Sequence, residues 1–270
     1  MPMSTITSSQ TPSNSEKFKP NTKYAQTNLQ LFNQLRSEGY SDSELSCIFN
    51  AYKVVVSLYT GWFRPSGKTF IAHLVGTASI LASLRLPAKV VAAGLLHAAY
   101  SSGSFDNTSQ KGITPAKRQW LIHAVGSEVE EYITKYQVLK WNKNNNISVI
   151  CQGLDSLEPI EREVLLIRLA NELEEYQDLG LLYCPKEKQK RYSDRHHQMV
   201  EMAEKLGFPI LAAEFKKAKA EMDSATIPQE LCYCDEKKSS FFIPSPRQKL
   251  TLSKIKRAIV PRLKKLIPHK

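Results

Sequence analysis

The chain has 270 residues, a formal net charge of +11 and an apolar content of 42%, and this ordinary globular composition excludes collagenous, coiled-coil-only and wholly disordered proteins. No apolar run approaches the roughly 20 residues of a membrane-spanning helix, and the N-terminus lacks the pattern of a secretory signal. The five cysteines form no C-x-x-C pair, so we expect free thiols in a reducing compartment and a cytoplasmic location.

The N-terminal segment differs from the rest of the chain. Residues 1–22 are rich in Ser, Thr and Pro and contain few large apolar side chains, so they cannot bury enough surface to order themselves and are predicted to be a disordered arm. From Tyr24 onward, apolar residues recur at three- and four-residue steps, without sustained strand alternation. This pattern predicts an all-α domain over residues 24–222.

Caps, turns and prolines delimit the predicted helices. Ser41-Asp-Ser-Glu44 resembles a capping box and predicts a helix start. The first helix is expected to end near Gly39, and a linker is predicted at residues 223–248, which contain three prolines. The other predicted helices are Leu45–Tyr59, Phe70–Leu84, Ala88–Tyr100, Pro115–Ala124, Glu128–Leu139, Pro159–Asp178, Glu187–Leu206 and Ile210–Ala220.

The positive charge is concentrated at the C-terminus. Nine Lys and Arg residues and no acid lie in residues 247–270, and removing those nine charges from +11 leaves only +2 for the remainder. Aliphatic side chains recur there at steps of three and four, which predicts a C-terminal basic amphipathic helix over residues 249–270. Two interpretations stay open: contact with an anionic membrane surface or another polyanion, which would make the protein peripheral at a membrane, or packing on its own domain. Specific nucleic-acid readout is not predicted, because aromatic residues are not interleaved with the basic ones.

Two histidines occupy consecutive apolar helical segments. His73 lies in Phe-Ile-Ala-His-Leu-Val and His97 in Gly-Leu-Leu-His-Ala-Ala. One such histidine is most simply a core residue, whereas two on neighbouring helices are expected to face each other across a site.

Four stretches around these histidines resemble the signatures of RelA/SpoT-type HD-domain guanosine-polyphosphate hydrolases. They are RPSGKTFIAHLVGTASIL at 64–81, VAAGLLHA at 91–98, VGSEV with a following TK at 125–135, and RLANELEEYQDL at 168–179. The order and approximate spacing match the family over about residues 60–180. The resemblance implies an HD-domain-like helical bundle, similar to bacterial HD-like domains of unknown function that carry the same His-Ala variant.

The chain departs from the family at its metal centre. Active members hold the metal with a His, a His-Asp pair and a distant Asp, and a Glu-Asp pair one turn later handles the attacking water. The corresponding residues of this chain are His73, His97, Ala98 and Asn171, with Ser101 and Ser102 in place of the Glu-Asp pair. All four expected carboxylates are therefore missing, and Mn²⁺, which prefers carboxylate and water, is expected to be held poorly.

A histidine-based metal site is the alternative. The residues that match the family's metal ligands are His73, His97 and Asn171. Zn²⁺ is held by three neutral histidines in some catalytic sites, and a third imidazole would have to come from His123, His196 or His197.

Basic residues compete for the same pocket. Arg64, Lys68 and Arg168, together with His97, are predicted to bind a small anionic ligand such as a nucleotide or phosphate. The alternative is that Arg64 and Arg168 pair with nearby carboxylates among Glu172, Glu174 and Glu175.

The acidic run after Asn171 supplies the candidate catalytic residue. Glu175 lies one turn beyond Asn171 on the same helical face and is the candidate general base. The alternative is that Glu172, Glu174, Glu175 and Asp178 form a solvated helix face.

The sequence therefore predicts a divergent HD-domain-like protein that has lost the Mn²⁺-dependent nucleotide pyrophosphohydrolase activity and acts as a ligand- or partner-binding module without a cofactor. The alternative is a metal-dependent phosphohydrolase with a rebuilt His-based site holding Zn²⁺ or Mn²⁺.

Removing residues 247–270 tests the tail. If the tail binds anionic surfaces, the full chain will float with anionic liposomes, and the truncated chain will stay in the load fraction. Neutral liposomes serve as the control for non-specific flotation. Equal flotation of both forms with anionic liposomes would contradict the prediction.

Overall fold

The protein is described by a computed structural model for residues 23–105, 112–139, 141, 146–231 and 240–243. The predicted N-terminal arm and basic tail helix lie outside the described residues, and so does the start of the tail at Arg247, so both stay predictions. Among the described helices, none combines the length and the apolar character that crossing a bilayer requires.

The described chain is mostly helical and has only two strands of two residues each, which confirms the all-α class. Short 3₁₀ segments occupy Leu154–Ser156, Gln177–Tyr183 and Gln229–Leu231. The helices are α1 Asn28–Ser37, α2 Asp42–Tyr59, α3 Phe70–Ser83, α4 Ala88–Leu96, α5 Ala99–Ser102, α6 Pro115–Val125, α7 Ser127–Val138, α8 Asn146–Gln152, α9 Pro159–Tyr176, α10 Lys186–Lys205 and α11 Pro209–Ser224.

Local capping explains where the first two helices begin. The Thr27 side chain accepts a hydrogen bond from the Gln30 backbone N–H, and the Gln30 side chain accepts one from the Thr27 N–H. Ser41 and Glu44 form the same reciprocal pair at the start of α2, so the predicted capping box is confirmed. Such boxes satisfy backbone donors that have no partner within the helix.

The predicted helix Ala88–Tyr100 is interrupted. Helix α4 ends at Leu96, His97 follows it as the cap, and α5 starts only at Ala99. The backbone of Ala98, at φ −95° and ψ 5°, leaves the regular helical range. The break places His97 at a helix end, where it borders a cavity.

Helix α3 is the centre of the fold and is buried along nearly its whole length. It packs against α1, α2, α4 and α9, and two glycines permit the close approach. A Cβ on Gly94 of α4 would lie 2.3 Å from Leu81 Cδ1, and a Cβ on Gly76 of α3 would lie 2.7 Å from Glu174 Cγ. A larger residue at either position would displace the Leu81 or Glu174 side chain that packs there.

A two-stranded sheet ties part of the predicted linker back to the domain. Strand β1 Trp62–Phe63 pairs antiparallel with β2 Phe241–Phe242, and the Phe63 and Phe241 rings stack at 5.6 Å. The Ile243 N–H donates to the Gly61 carbonyl at 2.8 Å. Strands of two residues carry no periodic sequence signal, so the sequence analysis did not predict them.

Replacing Glu130 tests a buried hydrogen-bond centre on α7. Its carboxylate accepts hydrogen bonds from Tyr100, Arg118 and Thr134. Burial alone would raise the pKa of Glu130, but these hydrogen bonds outweigh it and hold the pKa below the ordinary value. Glu130→Gln should lower the free energy of unfolding by about 1–3 kcal/mol in urea titrations near neutral pH.

The exposed neighbour Glu131 supplies the matched control, because Glu131→Gln should change stability by less than about 0.5 kcal/mol. A carboxylate whose pKa is lowered by folding contributes its full stability above its pKa in the unfolded chain. It loses this contribution as the pH falls through its pKa in the folded protein. The difference between wild type and Glu130→Gln should therefore shrink on acidification through the lowered pKa. A difference that stays constant into strong acid would contradict this assignment.

Candidate functional site

The structure brings the two sequence-predicted histidines together. His73 is on α3 and His97 caps α4, and their ring centroids lie 5.5 Å apart with the rings nearly perpendicular. Both side chains are buried. Phe70 contacts the edge of the His73 ring, and Tyr136 lies 5.1 Å from the His97 ring.

A cavity of about 740 Å³ opens beside His97. Its walls come from β1 and the loop after it, the start of α3, the α4–α5 junction, α5 and the segment after it, α6, α7, α9, α10 and the residue preceding β2. Ser101 and Ser102, which occupy the positions of the family's Glu-Asp pair, line it together with Ala98.

The His97 ring is held in one orientation by the backbone. Its Nδ1 lies 2.8 Å from the Gly94 carbonyl oxygen, so Nδ1–H donates and Nε2 keeps a free electron pair. Burial is the main cause that lowers the pKa of His97 well below its ordinary value, and the nearby His73, Arg64 and Arg168 act in the same direction. His97 is therefore a neutral imidazole at physiological pH.

His73 is held in a similar way by a carboxylate. Its Nδ1 forms a short hydrogen bond with Glu174, and its Nε2 is buried without a hydrogen-bond partner. Burial lowers the pKa of His73 well below its ordinary value, and the cations of Arg64 and Lys68 lower it further. We assign the proton to Nδ1, because the Glu174 carboxylate is the acceptor nearest the ring.

The acidic run of α9 is not a solvated helix face, which corrects one alternative of the sequence analysis. Glu172, Glu174 and Glu175 are only 1%, 2% and 6% exposed; Asp178 is the exposed member of the run. Every residue of α9 from Val164 to Tyr176 except Arg168 is buried, so the pattern of charges does not identify an exposed face of this helix.

Each buried glutamate has a cationic partner from elsewhere in the site. Lys68 Nζ lies 2.7 Å from Glu174 Oε1, and Arg168 lies 2.5 Å from Glu172. Glu175 is shared: one oxygen pairs with Arg64, and the other lies 2.7 Å from Lys188 Nζ. Buried carboxylates without such partners would be strongly destabilising. The predicted pairing of Arg64 and Arg168 with local carboxylates is therefore what the structure shows.

The predicted site residues divide into two groups. Arg64, His97, Arg168, Asn171 and Glu175 line the cavity. Two others do not. His73 lies against His97 beneath the cavity wall, and Lys68 donates to Glu174 and to Asp178, at 3.4 Å from the latter. Lys68 lies outside the cavity lining with its ammonium group on Glu174, and its predicted contact with a ligand stays a prediction.

Among the described residues, no third imidazole reaches the cavity. His123 and His197 are exposed. His196 is half-buried and packs against the rings of Tyr176 and Phe215. None of these three lines the cavity.

The donor set of the described site does not fit Mn²⁺. Ala98 and Asn171 stand where two metal carboxylates are expected, and the three nearest glutamates are held by Lys and Arg. Among the described residues, no three His, Cys, Asp or Glu side chains are grouped so that they could hold a metal ion. A hard cation would find two neutral imidazoles and one amide, which supply no negative charge.

Helix α10 contributes cations that the sequence analysis missed. Lys188, Arg191 and Arg195, spaced at three and four residues, line the cavity together with Tyr192. This spacing places the three cations on one helical face, and the spacing was visible in the sequence. Within the described part of the chain, the cavity lining has six basic side chains and two carboxylates. The bases are Arg64, Lys117, Arg168, Lys188, Arg191 and Arg195, and the acids are Glu172 and Glu175.

In sequence, the chain is similar to a domain of unknown function and to a pyrophosphohydrolase. A family model described as a domain of unknown function, DUF6817, matches residues 54–140; it includes both histidines and ends before α9 and α10. A guanosine-3′,5′-bis(diphosphate) 3′-pyrophosphohydrolase from Borreliella burgdorferi is 25% identical over 183 residues. That match covers 67% of this chain and 26% of the relative, so the chain spans about a quarter of that protein's length.

The sequence similarity confirms the expected resemblance to HD-domain, SpoT-type hydrolases, and the match to a domain of unknown function agrees with a divergent relation. A solved structure of a metazoan ortholog of SpoT, described as hydrolysing ppGpp and playing a role in starvation responses, is also similar. Its TM-score is 0.44 at 15% identity, over 67% of this chain and 96% of that chain.

Two substitutions test the buried network beneath the cavity. Glu174→Gln leaves the buried Lys68 ammonium without its nearest carboxylate and should lower the free energy of unfolding by about 3–5 kcal/mol. Asp178→Asn removes the other carboxylate near Lys68, but Asp178 is 54% exposed, so the loss should stay below about 1 kcal/mol. Chemical denaturation of both variants checks the difference. Equal losses would show that Glu174 is not the buried partner on which Lys68 depends.

Proposed function

We propose that this protein binds a small polyanion, such as a nucleotide or another phosphate-bearing compound, in the cavity beside His97, and that it does so without the Mn²⁺-dependent pyrophosphohydrolase chemistry of its relatives. The supporting observation is the charge of the described cavity lining, where six basic side chains face two carboxylates. Such an excess of cations in a partly enclosed site concentrates anions.

The cations are also held in place for a ligand. Arg168 is oriented by Glu172 and by a 3.0 Å hydrogen bond to the Tyr136 hydroxyl. Arg64 pairs with Glu175 and lies 5.2 Å from the centre of the Phe70 ring. Guanidinium groups fixed in this manner lose little freedom when they bind phosphate oxygens in a bidentate geometry.

The groups that would activate water are missing or engaged. Ser101 and Ser102 cannot act as carboxylate bases. Glu175, the candidate general base, is held between Arg64 and Lys188, so both of its carboxylate oxygens are engaged by cations. This arrangement favours binding over hydrolysis.

The relative from Borreliella burgdorferi acts, by its name, on guanosine-3′,5′-bis(diphosphate). A nucleotide polyphosphate is therefore the first ligand class to test. Its phosphates would meet the cations of α9 and α10, and rings such as Trp62 and Tyr192 in the cavity wall offer surfaces for a base to stack on.

One observation favours the second candidate, a phosphohydrolase with a rebuilt metal site. His73 and His97 each have Nδ1 engaged by an acceptor, and His73 Nε2 is buried without a partner. Imidazoles that ligate metals are commonly oriented in this way by carboxylates or carbonyls. With Asn171 they would form a nitrogen-rich site that suits Zn²⁺ better than Mn²⁺.

Pyrophosphate binding measured by isothermal titration calorimetry in the presence of EDTA tests the proposal. Arg191→Ala removes a cation from the cavity lining and should weaken binding by about tenfold. Lys190→Ala is the matched control, because Lys190 is an exposed cation on the same helix, as Arg191 is, but lies outside the cavity lining. It should leave the affinity nearly unchanged.

Absence of pyrophosphate binding, or equal losses in both variants, would contradict the anion site. Phosphate release from guanosine-3′,5′-bis(diphosphate) with added Zn²⁺, abolished in both His73→Ala and His97→Ala, would instead support the metal-dependent alternative.

A further inference from the structure

A short segment from the predicted linker forms part of the cavity wall. Ser240 is one of the lining residues, and so is Trp62 of strand β1. Strand β2, which directly follows Ser240, pairs with β1. We call residues 240–243 the strap. The match to the domain of unknown function ends at residue 140, so the strap lies outside that family model.

The strap contacts both side chains of β1. The Phe242 and Trp62 rings lie 5.6 Å apart, and Phe241 stacks on Phe63 at the same distance. Trp62 lines the cavity and Phe63 is outside the described lining, as expected because successive strand residues point to opposite faces. The Trp62 indole N–H also donates to the Ser104 hydroxyl at 2.8 Å. The strap therefore helps to hold one side chain of the cavity wall.

Gly61 permits the strap to approach β1 closely. Its φ is +86°, and a Cβ at this position would lie 2.9 Å from both the Ile243 carbonyl oxygen and Phe242 Cε2. Glycine adopts this backbone conformation without steric cost. The Ile243 N–H donates to the Gly61 carbonyl oxygen at 2.8 Å. The residue before β1 is thus suited to receive the strap.

The contact between the strap and β1 is small enough to open and close. Each strand has two residues, and the Phe242 side chain remains 42% exposed. An isolated pair of strands is only marginally stable in water. With the strap in place the cavity still measures about 740 Å³, so the strap forms a wall and does not fill the space. It can therefore cover a ligand without displacing it.

We propose that the strap closes over the anion bound in the cavity, with Ser240 in contact with that anion, and that it docks on β1 more firmly when the anion is present. This inference rests on the proposed anion site and adds its regulation. Coupled equilibria are reciprocal, so strap docking and anion binding favour each other by the same factor. One hydrogen bond from Ser240 to a charged phosphate oxygen corresponds to a factor of about ten.

Substitutions in the strap separate docking from charge. Phe241→Ala combined with Phe242→Ala removes both ring contacts with β1. Ile243→Ala is the matched control, because the hydrogen bond to Gly61 uses the Ile243 backbone and the Ile243 side chain is 44% exposed. The strap contains no charged side chain, so the net charge of the protein is the same in all of these variants. A loss of anion affinity then reflects docking and not a lost cation.

Calorimetric titration of the full chain with pyrophosphate in EDTA gives the first test. The double variant should bind pyrophosphate about tenfold more weakly than wild type, and Ile243→Ala should bind with nearly unchanged affinity. Thermal unfolding of each variant confirms that it folds.

Hydrogen exchange of the wild-type chain gives a second test that needs no substitution. By reciprocity, saturating pyrophosphate should slow amide exchange in residues 240–243 by about tenfold when exchange is followed by rapid mixing and mass spectrometry. Helix α11, which is outside the cavity lining, supplies the internal reference and should exchange at the same rate with and without pyrophosphate.

The outcomes distinguish the strap from the anion site. If pyrophosphate binds to wild type and to the double variant with equal affinity, or leaves exchange in the strap unchanged, the strap proposal is overturned and the anion site stands. If pyrophosphate does not bind to wild type, both proposals fall. Tighter binding by the double variant would show that the strap obstructs the cavity, and this result would also overturn the proposal.

Discussion

Helix α9 buries three glutamates beside two imidazoles, and the site is built around the need to neutralise them. A buried carboxylate is tolerated only with a partner, so Glu174 requires Lys68, Glu172 requires Arg168, and Glu175 requires Arg64 and Lys188. These partners come from the segment before α3, from α9 itself and from α10. The pairing therefore fixes how the surrounding elements meet at the cavity.

The same pairing underlies the proposal that the cavity binds an anion. The glutamates could in principle have replaced the carboxylates absent at Ala98 and Asn171, but each is held by Lys or Arg. The described lining nevertheless has more basic than acidic side chains, six against two, and three of the six are on α10. Because the acids of the site are paired with protein cations, we propose an anionic ligand for the cavity.

Local and periodic features of the sequence predicted much of the fold. The capping box at Ser41 and the uniformly apolar helix around His73 depend on neighbouring residues, and the structure has both. The pairing of His73 with His97 followed from two apolar helices in succession together with the family resemblance. What the sequence did not reveal depends on contacts between distant segments. The acidic run of α9 has the pattern of an exposed face, and only the packing of α3 and α10 around it shows that Glu174 and Glu175 are buried. The role of α10 and the pairing of β2 with β1 are likewise long-range features.

The central proposal is that the acids of this site are paired with protein cations and do not hold Mn²⁺. A titration of Mn²⁺ followed by the EPR signal of the free ion measures this directly. With the protein in excess, the account predicts that the free-ion signal persists at nearly full intensity. Loss of the free-ion signal in the presence of the wild-type protein, together with a persistent signal in the presence of His97→Ala, would contradict it.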